Sequence, residues 1–214
     1  MATCMDGELQ PLLGGRAGLE RSAIVADPRQ RRILSILESR ARPTTVDELG
    51  RRLAAVERGD GAVVDDVDPR SIRLDLRHRC LPGLESVGWI DRQPDGIRLD
   101  DPLSAVDISP PPLGAPDDPA WPVVSALLAR PSRRVILSVV ADHDGRLALK
   151  DLAAELRLRD DVIQPDDDRR LPIALHHVDL PKLAAIEVIE YDPDARTVTP
   201  TPRLAACLDR LDIE

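Results

Sequence analysis

Phenylalanine is absent from this 214-residue chain, and two Trp and one Tyr are its only aromatic residues. A core built from such a chain is aliphatic, drawn from Leu, Ile, Val and Ala. Lysine is almost missing too: Lys150 and Lys182 stand beside 27 Arg. The three cysteines, Cys4, Cys80 and Cys207, are scattered, and no CxxC occurs. That argues against a Cys-based zinc site and against a disulfide framework. No apolar run approaches the roughly 20 residues of a membrane span; Val135 to Val140, interrupted by Ser138, is among the longest. Residues 1–20 lack a basic start followed by an apolar block, so no signal peptide is expected. These absences predict a cytoplasmic protein in a reducing compartment, with no membrane partner.

What is present supports packed domains. Hydrophobic residues make up 43% and charged residues 31%, a balance that argues against wholesale disorder. The length suits one large domain or two small ones. Acids outnumber bases by 38 to 29, and 28 of the acids are Asp. An Asp-rich, Lys-poor, aromatic-poor composition resembles that of proteins from salt-in haloarchaea, where hydrated carboxylates keep a protein in solution. The net charge of −9 then reports the solvent more than the partner. It does not exclude nucleic acid.

The chain contains itself twice. Adding 103 to Pro28, Arg31, Ile33, Leu34, Ser35, Leu49 and Leu53 gives Pro131, Arg134, Ile136, Leu137, Ser138, Leu152 and Leu156. Adding 99 to Arg70, Leu76, His78, Leu81, Pro82, Leu84, Ile90, Pro94 and Asp95 gives Arg169, Leu175, His177, Leu180, Pro181, Leu183, Ile189, Pro193 and Asp194. One register held through two blocks is the mark of two homologous domains. Residues 18–100 form the first and 121–214 the second, with a C-terminal helix. Residues 101–120, with six prolines and four Asp, read as an extended linker. Residues 1–17 are weakly patterned and are expected to be disordered.

Each copy has the same order of elements. A short amphipathic segment, GLERSAIVA or PVVSALLA, comes first. A helix starts near Pro28 or Pro131, with Ile33, Leu34 and Leu37, or Ile136, Leu137 and Val140, as its buried face. A second helix is capped by Thr45, with Glu48 completing a capping box; Leu49, Leu53 and Val56 are its apolar positions. An acidic loop follows, then a third helix from near Pro69 or Leu171. Pro82 and Pro181 fall inside it and should kink or divide it. A hairpin closes the unit, WID-QPDG-IRL in the first copy and VIEYDPDARTVTP in the second. The fold class is α+β, mainly α: three helices and a hairpin in each of two copies.

Leu180 to Asp192, LPKLAAIEVIEYD, is echoed by LPGLESVGWID at Leu81 to Asp91. Both resemble the HL..L...G.V segment of ArsR- and MarR-type winged helix-turn-helix regulators. The closer resemblance is to a haloarchaeal winged-helix domain family of unknown function, with the pattern HLPKL..aG.ieyD and a first helix of the form RR..L..L. Here that helix reads Arg31-Arg32-Ile33-Leu34-Ser35-Ile36-Leu37 and Arg133-Arg134-Val135-Ile136-Leu137. The resemblance covers about 80% of the chain. It implies a pair of tandem winged helices, each with a third helix for a major groove and a hairpin wing. The His of the pattern is replaced by Cys80 and by Asp179. Its Gly is kept as Gly88 but replaced by Glu187, so the second wing is expected to begin differently.

The residues expected to meet DNA follow from that frame. The first third helix carries Arg70, Arg73, Arg77, His78 and Arg79; Arg70, Arg73 and Arg77 fall within about 60° of arc. Ile72, Leu76 and Cys80 form the apolar stripe beside them. Guanidiniums on one face suit phosphates and guanine edges. The wing adds Arg92 and Arg98. The second copy offers Arg169, Arg170, His176, His177, Lys182 and Arg196, with Asp179 among them. Residues 27–100 carry 14 bases and 14 acids, whereas 121–214 carry 13 and 17, so the first copy is expected to grip DNA harder.

Other chemistries find less in the sequence. His176 and His177 point about 100° apart on a helix and lack a third ligand, so no metal is expected. Asp65, Asp66, Asp68 and Asp166 to Asp168 lack the Gly and Glu of an EF-hand and read as solvated loops. Cys80, near Arg77 and Arg79, is either a thiol sensor or a small core residue; the core reading is preferred. No GxSxG, HExxH or phosphate loop occurs, so neither catalysis nor a cofactor is expected. The leading function is DNA-binding transcription regulation on double-stranded DNA. The alternative is a protein-interaction module that has lost direct DNA contact. With two reading helices in one chain, an intrachain pseudo-dimer or a homodimer is expected, since twenty spacer residues reach roughly 60 Å.

Overall fold

The computed structural model describes residues 16–59, 68–100, 111–113, 115, 117–159 and 170–213. Of residues 1–17, expected to be disordered, 1–15 lie outside them, while Arg16 and Ala17 are helical; the loop acids Asp65, Asp66 and Asp166 to Asp168 also lie outside. So does Arg169, and so does most of the linker. The described residues form two compact units: 23–100 with 111–121, and 122–213 with 16–22. The division differs from the sequence-based boundaries, because residues 16–22 group with the second copy and the described linker residues with the first.

The first copy runs α1 (Arg16–Ala26), α2 (Pro28–Glu38), α3 (Val46–Gly59), α4 (Pro69–Asp75), a π-helical turn (Leu76–Cys80), α5 (Leu81–Ser86), β1 (Ile90–Gln93) and β2 (Gly96–Leu99). The second repeats it as α6 (Trp121–Ala129), α7 (Arg133–Ala141), β3 (Leu147–Ala148), α8 (Leu149–Arg159), α9 (Arg170–Ala174), a second π turn (Leu175–Asp179), α10 (Leu180–Ala185), β4 (Ile189–Asp192) and β5 (Thr197–Pro200). Helix α11 (Pro202–Leu211) closes the chain. The fold is α+β and mainly α, with small antiparallel sheets.

Local chemistry sets the helix starts. Asp27 accepts the Arg29 N–H at 2.8 Å, ahead of Pro28 at the first turn of α2. Asp68 accepts from Arg70 and Ser71 N–H groups at the start of α4, satisfying donors that a helix start leaves open. Thr45 Oγ1 accepts the Glu48 N–H at 3.3 Å. The Glu48 carboxylate pairs instead with Arg40 and Arg52, so only half of the expected capping box forms. Helix α7 starts two residues beyond Pro131.

The prolines of the third helix divide it without ending it. Pro82 and Pro181 have no N–H and would crowd the carbonyl four residues back. The chain widens one turn earlier: Leu81 N–H donates to Leu76 O, and Leu180 N–H to Leu175 O, five residues back. Backbone dihedrals stay helical at both ends of the turn.

The hairpins pair as read. Ile90 faces Leu99 and Arg92 faces Ile97 in the first; Ile189 faces Pro200 and Tyr191 faces Val198 in the second. A third edge was not legible in the sequence. Leu147 and Ala148 pair with Val198 and Thr197. At the equivalent place in the first copy, Thr44 and Ile97 exchange two hydrogen bonds of 2.9 Å.

The second wing begins as the first does, contrary to expectation. Gly88 has φ 76° and Glu187 has φ 62°, so a glutamate bears the left-handed conformation that Gly takes without strain. Thr201 Oγ1 donates to the Glu187 carbonyl at 2.9 Å, and Arg203 pairs with its carboxylate at 3.1 Å.

Aliphatic side chains dominate the core, including Ile33, Leu34, Leu49, Leu53, Leu76 and Leu84, and Leu137, Leu152, Leu175 and Leu183. Trp89 and Trp121 are buried among them, so the two tryptophans add to a core expected to be purely aliphatic. Val56 is exposed, and α3 packs through Leu49 and Leu53. One arginine of each first-helix pair also proves structural. Arg31 is buried, donates to the Val25 carbonyl and lies over the Trp121 ring at 5.4 Å. Arg133 is buried and donates to the Ala126 carbonyl at 3.0 Å.

Candidate nucleic-acid interface

The third helix of the first copy presents the face its periodicity required. Ile72, Leu76 and Cys80 are buried. Arg70, Arg73, Arg77 and His78 are exposed. Leu74, 52% exposed, lies between the arginines. Among the described residues no ion pair engages Arg70 or Arg77, and Arg73 has Asp47 at 3.7 Å.

Arg79 belongs elsewhere. Its Nε and Nη2 donate to Asp75 at 2.6 and 3.0 Å, and its Nη1 to Asp27 at 3.0 Å. Asp75 also accepts from Arg29, whose Nε and Nη2 grip Glu57 at 2.6 and 3.0 Å. This network bolts the third helix to α2 and α3. Arg79, with Arg29 and the Cys80 thiol, holds the Asp75 carboxyl far below the usual carboxylate range. Arg79 thereby ties the fold together, although its side chain is 55% exposed. Asp75 is held toward Arg29 and Arg79 by the same network.

Cys80 shares the network: its Sγ donates to Asp75 at 3.4 Å. Burial, then the Asp75 charge, pushes its thiol up to about 12. The thiolate that a sensor needs is therefore disfavoured, and the core reading stands. In the first wing, Arg92 pairs with Glu85 at 3.1 Å and Arg98 with Asp95 at 3.2 Å.

The second copy differs at each of these points. Asp179, which lies among the bases of the second third helix, is 4% exposed. It accepts from Arg130 at 2.8 and 3.0 Å and from Arg133 at 2.9 Å. Its charge is spent inside the unit. His176 Nδ1 meets the Tyr191 hydroxyl, joining the third helix to the wing, and its ring lies edge-on to His177. Desolvation, then His177 and Arg196, lowers the His176 pKa, so it is neutral near pH 7. His177, Arg170, Lys182 and Arg196 are exposed. Ile173 is 60% exposed at the position equivalent to Leu74.

Two clefts lie at equivalent places, one per copy. In the second, Ala148, Leu149, Lys150, Ala153, Arg157, Pro172, Ala195 and Arg196 enclose about 440 Å³. In the first, Asp47, Gly50, Arg51, Ala54, Arg58, Pro69 and Arg73 enclose about 620 Å³. The 103-residue offset places Lys150 where the first copy has Asp47, and Arg157 where it has Ala54. Sequence reasoning missed Lys150 and Arg157 because it looked only at the third helix and the wing. Their spacing with Ala153 on one face of α8 was the available signal. The wing turn is tied to this cleft: Leu149 N–H donates to Arg196 O at 2.9 Å.

Among the described residues, no group of three or more His, Cys, Asp or Glu is placed to hold a metal ion. No described helix is long and apolar enough to cross a membrane.

One family profile, described as Domain of unknown function (DUF7344), matches residues 22–97 and 125–199. The chain belongs to this family. It holds two tandem copies of the domain, at the places where the internal repeat falls. No curated protein and no solved structure matches the chain.

Proposed function

We propose that this tandem DUF7344 protein is a non-catalytic, winged-helix DNA-binding regulator. The order of three helices and a hairpin, with a proline-rich linker between copies, is that of winged helices in series. The observation that carries the reading is the exposed face of Arg70, Arg73 and Arg77, seated on buried Ile72, Leu76 and Cys80. Arginines held on a rigid helix suit both phosphate positioning and guanine readout. His78 lies next to Arg77 on the helix, and the wing adds Arg92 and Arg98. In the second copy Pro172 and His176 stand where the first has Arg73 and Arg77, and its exposed bases are Arg170, His177, Lys182 and Arg196. One chain then offers two reading helices to neighbouring half-sites, about 34–36 Å apart on adjacent turns. Light scattering with footprinting separates a pseudo-dimer from a homodimer.

A second reading has an observation of its own. Leu158, Ile173 and Val178 of the second copy are 86%, 60% and 39% exposed, and exposed aliphatics favour a protein partner. Crosslinking the tagged protein to chromatin in its native host tests the choice. Discrete enriched sites support regulation. The absence of enrichment supports the interaction module.

A further inference from the structure

We propose that the cleft lined by Lys150, Arg157 and Arg196 is a phosphate site, through which the second copy holds the backbone of a duplex. The proposal rests on the DNA-binding reading for its ligand source, but not for its chemistry.

The cleft gathers three cations from two elements. Lys150 lies in the first turn of α8, Arg157 two turns further along the same face, and Arg196 at the tip of the wing. All three are exposed. None of the described lining residues is acidic. Asp151 is the acid of the first turn of α8 but does not line the cleft. Asp192, at the base of the wing turn, has Oδ1 occupied by the N–H groups of Asp194 and Ala195 at 3.0 and 2.9 Å. The positive end of the 11-residue α8 adds to the field beside Lys150. The backbone at Arg196 is held at the cleft, since its carbonyl accepts from Leu149 at the helix start. Apolar walls from Ala148, Leu149, Ala153 and Pro172 lower the local dielectric and strengthen attraction to an anion.

The equivalent cleft of the first copy is built to refuse an anion at one corner. Asp47 stands in place of Lys150 and lies 3.7 Å from Arg73. A phosphate there would meet a carboxylate and compete with an existing ion pair. So the copy with the lower net charge has the better phosphate cleft. Net charge does not describe either cleft, because the buried Asp179 is counted as an acid although Arg130 and Arg133 hold it inside the unit.

The test uses the full chain, a fluorescein-labelled 30-base-pair duplex of mixed sequence, and a series of salt concentrations. Lys150→Glu, Arg196→Glu and Asp47→Lys are compared with wild type, with circular dichroism as the folding check. Each phosphate contact contributes about 0.9 to the slope of log K against log salt. Losing one therefore costs about fourfold in affinity at 0.2 M salt and about one unit of slope. Lys150→Glu and Arg196→Glu are each expected to show that loss or more, and Asp47→Lys is expected to tighten binding. A second arm titrates inorganic pyrophosphate without DNA. Saturable pyrophosphate binding that Lys150→Glu abolishes, with duplex binding unchanged, would keep the phosphate site but make a free phosphate its ligand. Unchanged slope and affinity in the duplex arm, with no saturable pyrophosphate binding, overturns the proposal. Wild type that binds pyrophosphate but no duplex refutes the DNA reading and leaves the cleft standing.

Discussion

Replacing Asp179 by Asn removes one negative charge and almost no volume. The side chains of Arg130, Arg133 and Asp179 are each about 5% exposed, so water cannot repair the loss. Two guanidiniums would be left facing each other without a counter-charge. Breaking a buried pair by removing one partner costs about 3–5 kcal/mol. Here two cations share the lost partner, which puts Asp179→Asn at the upper end. In a unit of about 90 residues each kcal/mol moves the midpoint by roughly 4–8 °C, so a fall of at least 15 °C is expected for that unit. The same principle gives an internal control. Arg130→Met, Arg133→Met and Asp179→Leu together replace the ions by apolar groups of similar size, and such replacements are often neutral or stabilising. The first copy holds a different set there: Asp27, Gln30 and Cys80 stand where the second has Arg130, Arg133 and Asp179, and Asp27 pairs with Arg79. Thermal unfolding followed by circular dichroism, with both variants in one buffer, reads the difference. A loss below about 1 kcal/mol for Asp179→Asn, or a triple variant as unstable as the single one, would refute the reasoning.

Gly96→Ala should destabilise the first wing by about 2 kcal/mol, because φ is 141° and a Cβ would meet Pro43 and Thr44 at 3.0–3.1 Å; urea unfolding checks it. Cys80 should resist iodoacetamide in the native protein at pH 8 and react after unfolding, since its thiol is pushed up to about 12; fast native labelling would contradict its burial. The Asp75 carboxyl is held below its unfolded value of about 3.9 by Arg79, Arg29 and Cys80. Its contribution to stability is therefore complete above that value and lost as pH falls below it, and Asp75→Asn should flatten the acid limb of a pH–stability curve.

Much of the fold was legible because the chain repeats. The offsets of 103 and 99 fixed which leucines were core in both copies, and Asp27, Asp68 and Thr45 marked helix starts by ordinary capping chemistry. The π turns were half legible: Pro82 and Pro181 announced a disturbance, but not that widening one turn would absorb it. Glu187 was misread because a residue type that usually avoids positive φ was taken to forbid it, whereas bonds from Thr201 and Arg203 hold it there. The site was less legible than the fold. Arg70, Arg73 and Arg77 follow from helical spacing alone. Arg79 and Asp179 do not, because their roles depend on Asp27, Asp75, Arg130 and Arg133 arriving from distant positions. A charge count treats a buried acid such as Asp179 and an exposed one alike, so it says little about either cleft.

The central claim is tested most directly by titrating the full chain onto a labelled duplex at one fixed salt concentration, wild type against the Arg73→Glu, Arg77→Glu double variant and against His176→Ala, His177→Ala. The account predicts saturable wild-type binding and a loss of at least tenfold in the arginine variant, since removing two phosphate contacts alone costs about 18-fold at 0.2 M salt. The histidine variant should lose far less. Equal losses in the two variants, or wild type that does not bind duplex, would contradict it.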